Sequence, residues 1–189
     1  MRLVFATNNA HKLEEVRKIL PSTFQIISLA ELGCTEDIAE TGETLEANSL
    51  IKAQYIWDKY HVDCFADDTG LEIEALHNQP GVYTARWAGE AHNDAANRQK
   101  ALTLLQGKNN RQARFRTVVT LIRGGKIEQV EGVVQGIIAT EEKGDGGFGY
   151  DPIFIPEGHT KTFAELPASV KNTISHRARA MEQLKNILI

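Results

Sequence analysis

Val62-Asp63-Cys64-Phe65-Ala66-Asp67-Asp68-Thr69-Gly70-Leu71 is the stretch on which the fold turns. Val62 to Phe65 has the character of a buried strand running out. Two adjacent carboxylates follow, then a hydroxyl and a glycine. As local chemistry, Asp-Asp-Thr-Gly is a good turn, because Asp and Thr bond nearby backbone and Gly supplies positive φ. Taken alone, the residues favour that turn. The competing reading is that the repulsion between Asp67 and Asp68 is relieved by a divalent cation with hard oxygen ligands. Leu71-Glu72-Ile73-Glu74-Ala75 alternates and predicts a second, half-exposed strand beyond the turn.

Upstream of this stretch, the chain alternates strands and helices. Arg2 to Ala6 predicts a strand and Thr7 to Ala10 a turn. Leu13, Val16, Ile19 and Leu20 then have helical spacing, with Asn8 or Asn9 as N-cap and Pro21 as the stop. A helix N-terminus after a short polar turn points its N–H groups at an anion, and Lys12 lies in that first turn. Phe24 to Ser28 predicts a short strand. Glu31 to Glu46 reads as an acidic loop, and Thr44 opens a helix that carries Lys52. Downstream, Gln79-Pro80-Gly81 reads as a turn and Asp94 to Gln106 as a helix. Ala113 to Arg123 and Lys126 to Thr140 are strand-like runs joined by Gly124-Gly125, a two-residue hairpin signal. Strand–helix units plus an antiparallel hairpin predict an α/β (α+β) protein with a mixed sheet.

The 189 residues suffice for one domain, 1–189, with a sizeable core, and no internal repeat or linker divides them. A net charge of −4 argues against a nucleic-acid backbone or an anionic membrane as partner. No apolar run reaches signal-peptide or membrane-spanning length. Cys34 and Cys64 lack metal-ligand spacing and suit a reducing cytoplasm as free thiols. The charge is unevenly placed. Glu31 to Glu46 holds six acids and no Lys or Arg, and Asp63 to Glu74 holds five, whereas Lys161 to Lys185 carries five basic residues and two acids. Such a division suits a metal-bound polyanion.

Two further segments carry chemistry. Gly144 to Pro152 holds Gly144, Gly146, Gly147 and Gly149, which let backbone approach a ligand closely. Phe148 and Tyr150 within it, beside Asp151, read as a platform for stacking a flat ring. Pro167 to Ile189 predicts a helix whose first half bears Lys171, His176 and Arg177; for the His176-Arg177 pair, ligand contact is favoured over plain solvation.

Phe5-Ala6-Thr7-Asn8-Asn9-Ala10-His11-Lys12, Glu40-Thr41-Gly42 with Asn48, Ala66 to Leu71, Pro80 to Arg86, Gly146 to Pro152 and Ser175-His176-Arg177 occur in that order. Together they closely resemble the inosine triphosphate pyrophosphatase family, whose bacterial members act on dITP and XTP. The resemblance spans essentially the whole chain. It implies an elongated mixed sheet flanked by helices, two lobes with the active cleft between them, and a homodimer in the cytoplasm. It implies a Mg2+-dependent hydrolase that splits a deaminated purine nucleoside triphosphate into monophosphate and pyrophosphate. By the same resemblance, Thr7, Asn8, Asn9, Ala10, His11 and Lys12 would bind the triphosphate. Asp68 would be catalytic base and metal ligand, with Glu40 a second ligand and Lys52 a catalytic lysine near the phosphates. Thr69, Phe148, Gly149, Tyr150, Asp151, Lys171, His176 and Arg177 would bind the nucleotide, mostly its base. A non-catalytic nucleotide sensor has no need of the acids, and a hydrolase of modified pyrimidine nucleotides would be separated by its substrates.

Overall fold

The computed structural model describes residues 1–89 and 92–189. Its strands are β1 (Arg2–Phe5), β2 (Gln25–Ile27), β3 (Cys64–Ile73), β4 (Gln79–Gly81), β5 (Gln112–Arg123), β6 (Lys126–Ile138) and β7 (Phe154–Pro156). They form one sheet in the order β2-β1-β3-β5-β6-β7, with β4 paired to β3 off that path. The helices are α1 (Ala10–Ile19), α2 (Leu29–Leu32), α3 (Leu45–Tyr60), α4 (Asp94–Leu104), α5 (Ala168–Ile174) and α6 (His176–Leu188). Strand β1 runs parallel to β2 and β3, whereas β3–β4 and β6–β7 are antiparallel. The mixed sheet of an α/β protein is therefore present. Gly124 and Gly125, both at positive φ (56° and 82°), form the two-residue link from β5 to β6.

Two corrections concern β3 and its neighbour. The predicted Asp-Asp-Thr-Gly turn does not exist: β3 is one strand of ten residues that carries both aspartates in extended backbone. Local turn chemistry loses because tertiary partners satisfy the Asp67 carboxylate, as shown below. Gln79-Pro80-Gly81, expected as a turn, is the short strand β4, with Leu71 opposite Gly81 and a cis Gln79–Pro80 bond. The predicted C-terminal helix is also two helices, α5 and α6, separated at Ser175, whose ψ is 161°.

The chain divides into two compact units. The first comprises residues 1–68, 117–132 and 176–189, and the second the described part of 69–116 together with 133–175. In the first unit, alternate residues of β1 and β3 serve opposite faces. Leu3, Phe5 and Phe65 pack with Val16 of α1, with Val119 and Leu121 of β5, and with Met181 and Leu184 of α6. Val4, Cys64 and Ala66 pack with Ala53 and Ile56 of α3 on the other face. The Phe5 and Phe65 rings stack 4.6 Å apart. A strand covered on both sides reads as a continuous apolar run, which is why Cys64 to Ala66 has no polar alternation. The second unit has its own core, where Leu71 and Ile73 meet Leu105, Phe115, Val134, Tyr150, Phe154 and Phe163.

Candidate active site

The alternation of β3 continues past the core and separates the two aspartates. Phe65 points to the α1–α6 face, and Asp67, two residues on, does too. Ala66 points to the α3 face, and Asp68 follows it. The polar partners obey this division. Lys12 Nζ donates to Asp67 Oδ1 at 3.1 Å and Arg177 Nε to Asp67 Oδ2 at 3.3 Å. Lys12 belongs to α1 and Arg177 to α6. On the other face, α3 presents Lys52, whose Nζ donates to Glu40 Oε1 at 2.9 Å and to the Asp67 carbonyl at 2.6 Å.

Burial and charge set the ionisation of this cluster. Asp67 is fully buried, and burial works against its charge. Lys12, Arg177 and Lys52 outweigh that effect and hold its carboxyl well below the usual carboxylate range. Asp68, 6% exposed, behaves oppositely. Burial pushes its carboxyl up to about 6 even though Lys52 and Lys12 pull it down, and the charges of Glu40 and Asp67 add to the rise. Burial alone would lower Lys52, but Asp67, Asp68 and Glu40 together hold its ammonium above the ordinary value. For Lys12, burial outweighs Asp67, and its ammonium is held below the ordinary value. The site therefore joins a fixed anion, Asp67, to a carboxyl that titrates near neutrality, Asp68.

The loop before α1 leads into a capped helix start. Asn9 is the N-cap, its side chain accepting from the Lys12 N–H at 3.1 Å, and Thr7 Oγ1 accepts from the Asn9 N–H at 3.1 Å. Asn8, Ala10 and His11 are exposed at this helix start. The acidic loop is held onto α3. Asn48 Oδ1 accepts from the Gly42 N–H at 2.7 Å, and Lys52, one helical turn further, grips Glu40.

Glu40 and Asp68 fit a Mg2+ ion. Both offer hard oxygen donors, and their mutual repulsion and the raised carboxyl of Asp68 are what a divalent cation would relieve. Among the described residues, no group of three or more His, Cys, Asp or Glu forms a self-sufficient metal cage.

In the second unit, Thr69 directly follows Asp68 along β3, and the Gly-rich loop is braced from several sides. Asp151 Oδ2 accepts from the Phe148 N–H at 3.0 Å and from Lys171 Nζ at 2.6 Å. Lys171 also lies 4.8 Å from the Phe148 ring centre, in cation–π contact. Gly147, at φ 68°, has no room for a side chain, since a Cβ there would sit 2.0 Å from Asp151 Oδ2. Gly149 is held by Asp94, which accepts from its N–H at 3.0 Å, and by Arg98, which donates to its carbonyl at 2.9 Å.

The expected pair of rings in the Gly-rich loop is not presented together. Phe148 is half-buried, whereas Tyr150 is a core residue whose hydroxyl donates to the Thr84 carbonyl at 2.7 Å. A phenol has both an apolar body and a polar tip, and here the interior satisfies both. His176 and Arg177 are buried at the start of α6. The Arg177 guanidinium, 1% exposed, joins Asp67 to Glu15. Glu15 escaped the sequence reading. Its position three residues after Lys12, on the same face of α1, was the available signal. Asp94, Arg98 and the loop-holding role of Asn48 were also missed, because each acts on backbone groups that no side-chain pattern reveals. Both cysteines are free and buried.

A mixed α/β sheet whose strand β3 carries two buried acids met by Lys12, Lys52 and Arg177, in the same unit as a capped helix start, has the chemistry of a site for a phosphorylated substrate. Residues 3–187 match the Ham1 family, and the chain belongs to that family. It is 52% identical over 189 residues to the dITP/XTP pyrophosphatase of Porphyromonas gingivalis, covering all of this chain and 97% of that one. It is 50% identical over 188 residues to the dITP/XTP pyrophosphatase of Flavobacterium johnsoniae, with 100% and 98% covered. Among solved structures, the Ham1 protein of Staphylococcus aureus superposes with a TM-score of 0.89 at 37% identity, and a HAM1 protein of Coxiella burnetii with 0.90 at 39%. Each comparison covers all of this chain and 98% of the other.

Proposed function

We propose that this chain hydrolyses dITP, ITP and XTP to the monophosphate and pyrophosphate with Mg2+, clearing deaminated purines from the nucleotide pool. Family membership at these identities makes it a hydrolase acting on nucleoside triphosphates. The observation that carries the finer reading is the division of roles on β3. Asp67 is locked as an anion among cations, while Asp68, beside Lys52 and Glu40, has a carboxyl near 6.

In this reading, Thr7 to Lys12 bind the phosphates through the N–H groups of the helix start and the Lys12 ammonium. Glu40 and Asp68 would hold Mg2+, which would supply charge neutralisation and lower the pKa of a bound water. Asp68, as a carboxylate, takes the proton of the attacking water. Lys52 keeps Glu40 in place and adds positive charge where negative charge builds up on the leaving pyrophosphate. Phe148 stacks on the base, and Lys171 with His176 and Arg177 favours a C6 carbonyl over the amino group of adenine. A donor left facing a donor costs roughly 1–3 kcal/mol. Thr69, Gly149, Tyr150 and Asp151 complete the nucleotide contacts, Tyr150 through its backbone. The enzyme works as a cytoplasmic homodimer. No helix among the described residues is long and apolar enough to cross a membrane.

The test is a nucleotide panel with separate detection of pyrophosphate and phosphate. Pyrophosphate from ITP, dITP and XTP in the presence of Mg2+, with little from ATP or GTP, is expected. Single-phosphate release, or equal turnover of all purines, refutes the reading.

A further inference from the structure

We propose that Asp94 and Arg98 of α4 are positioning residues for the nucleobase: between them they fix the backbone of Gly149 and so set the adjacent Phe148 ring. The inference rests on the base-stacking role proposed for Phe148. Asp94 Oδ2 accepts from the Gly149 N–H at 3.0 Å, and Arg98 Nη1 donates to the Gly149 carbonyl at 2.9 Å. The two side chains stand at i and i+4 of one helix and so share a face. Gly149 is thus gripped at both of its backbone polar groups, the N–H by a carboxylate and the carbonyl by a guanidinium. Hydrogen bonds to ionised groups are the stronger kind. Arg98 also pairs through Nε with Glu142, so one guanidinium ties both ends of segment 142–149 to α4.

The loop needs such a brace. Gly144, Gly146, Gly147 and Gly149 leave its backbone little stiffness of its own. Gly149 lies at φ 61°, with open space where a Cβ would stand, so its place is set through backbone bonds. The residues around it are anchored separately. Asp151 accepts from the Phe148 N–H, and the Tyr150 hydroxyl donates to the Thr84 carbonyl. Phe148 is the half-buried ring between these anchors. A ring held in advance spares the ligand the entropy of ordering it.

Direct binding separates the base from the phosphates. Calorimetry with inosine monophosphate reports the base site, and calorimetry with inorganic tripolyphosphate reports the phosphate site. Asp94→Ala and Arg98→Met each weaken inosine monophosphate binding about tenfold and leave tripolyphosphate binding within about twofold. The sign is informative. The two variants change the net charge in opposite directions, so a general field acting on an anion would tighten binding in the first and weaken it in the second. Positioning weakens both. Asp94→Asn keeps an oxygen acceptor and recovers most of the affinity. In a Phe148→Ala background neither change costs more than about twofold further, because the ring they position is gone.

Should either variant not fold, Arg98→Lys keeps the charge without the fork that meets Glu142 and Gly149 together. Weakened inosine monophosphate binding with retained tripolyphosphate binding is again expected. Unchanged inosine monophosphate affinity, shifts of opposite sign, an equal loss of tripolyphosphate binding, or losses that add in full to that of Phe148→Ala overturns the proposal. Wild-type protein that binds inosine monophosphate, alongside variants that bind it equally well, counts against this inference alone. Wild-type protein that binds none and releases no pyrophosphate from ITP counts against the proposed function, and the positioning role falls with it.

Discussion

Replacing Asp68 by Asn should stabilise the metal-free protein at alkaline pH while abolishing turnover. The folded chain holds the Asp68 carboxyl at about 6, against 3.8 for the ordinary group. A carboxyl raised on folding binds its proton more tightly in the native state. It costs nothing below the unfolded value, and the cost grows as pH rises through the folded one. The interval from 3.8 to about 6, at about 1.4 kcal/mol per pH unit, amounts to about 3 kcal/mol, fully developed by pH 8. Asn has the size of the neutral acid and does not titrate, so the variant escapes this cost. Any penalty from its amide facing Lys52 and Lys12 is independent of pH and cancels when two pH values are compared. For a chain of this length, about 3 kcal/mol corresponds to about 6–12 °C in Tm. The assay is thermal unfolding of both proteins in EDTA at pH 4 and pH 8. The difference in Tm between variant and wild type should move in favour of the variant by that amount from the lower to the higher pH. Mg2+ at pH 8 should then raise the wild-type Tm and leave the variant unchanged. A difference that stays constant between the two pH values refutes the account of Asp68 as a carboxyl desolvated in the apo protein.

Three further outcomes follow from the same geometry. Tyr150→Phe removes the bond to the buried Thr84 carbonyl and should cost about 1–2 kcal/mol in denaturant unfolding with KM for ITP unchanged, whereas Phe148→Ala should raise KM with little loss of stability. Lys52→Met should lower kcat by about a hundredfold or more at saturating Mg2+, measured as pyrophosphate release, because it frees Glu40 and removes charge beside the leaving group. Gly132→Ala places a Cβ 2.1 Å from the His176 carbonyl oxygen and 2.3 Å from the Ala180 N–H nitrogen, so α6 must shift. A loss of roughly 1–3 kcal/mol or more is expected, read as a lower denaturant midpoint.

Much of the site was legible because its residues are contiguous in short motifs. Thr7 to Lys12 needs only a strand, a polar turn and a capped helix, and local chemistry supplies all three. Glu40 stands in a loop too acidic to be ordinary. The hairpin at Gly124-Gly125 is written in two glycines. Tyr150 was misjudged because an aromatic in a glycine-rich loop shows no periodicity, and only the packing around Leu71 and Phe154 reveals that it belongs to the core. The break at Ser175 was invisible because Ile174 and Ala178 continue an apolar face that looks helical throughout.

The Asp pair marks the boundary most clearly. The sequence by itself determined that two carboxylates stand between a buried strand and a hydroxyl and that basic residues lie far along the chain. It favoured a turn, since turn propensity is a property of neighbouring residues and Asp-Asp-Thr-Gly has it. Tertiary structure decided otherwise. Lys12, Arg177 and Lys52 arrive from three different helices to meet Asp67, and the energy of those contacts exceeds any local preference of the four residues. Once the segment is a strand, its period of two sends the adjacent acids to opposite faces. One becomes a buried counter-ion and the other a carboxyl raised by burial, a distinction that depends on what packs against each face and so cannot be read along the chain.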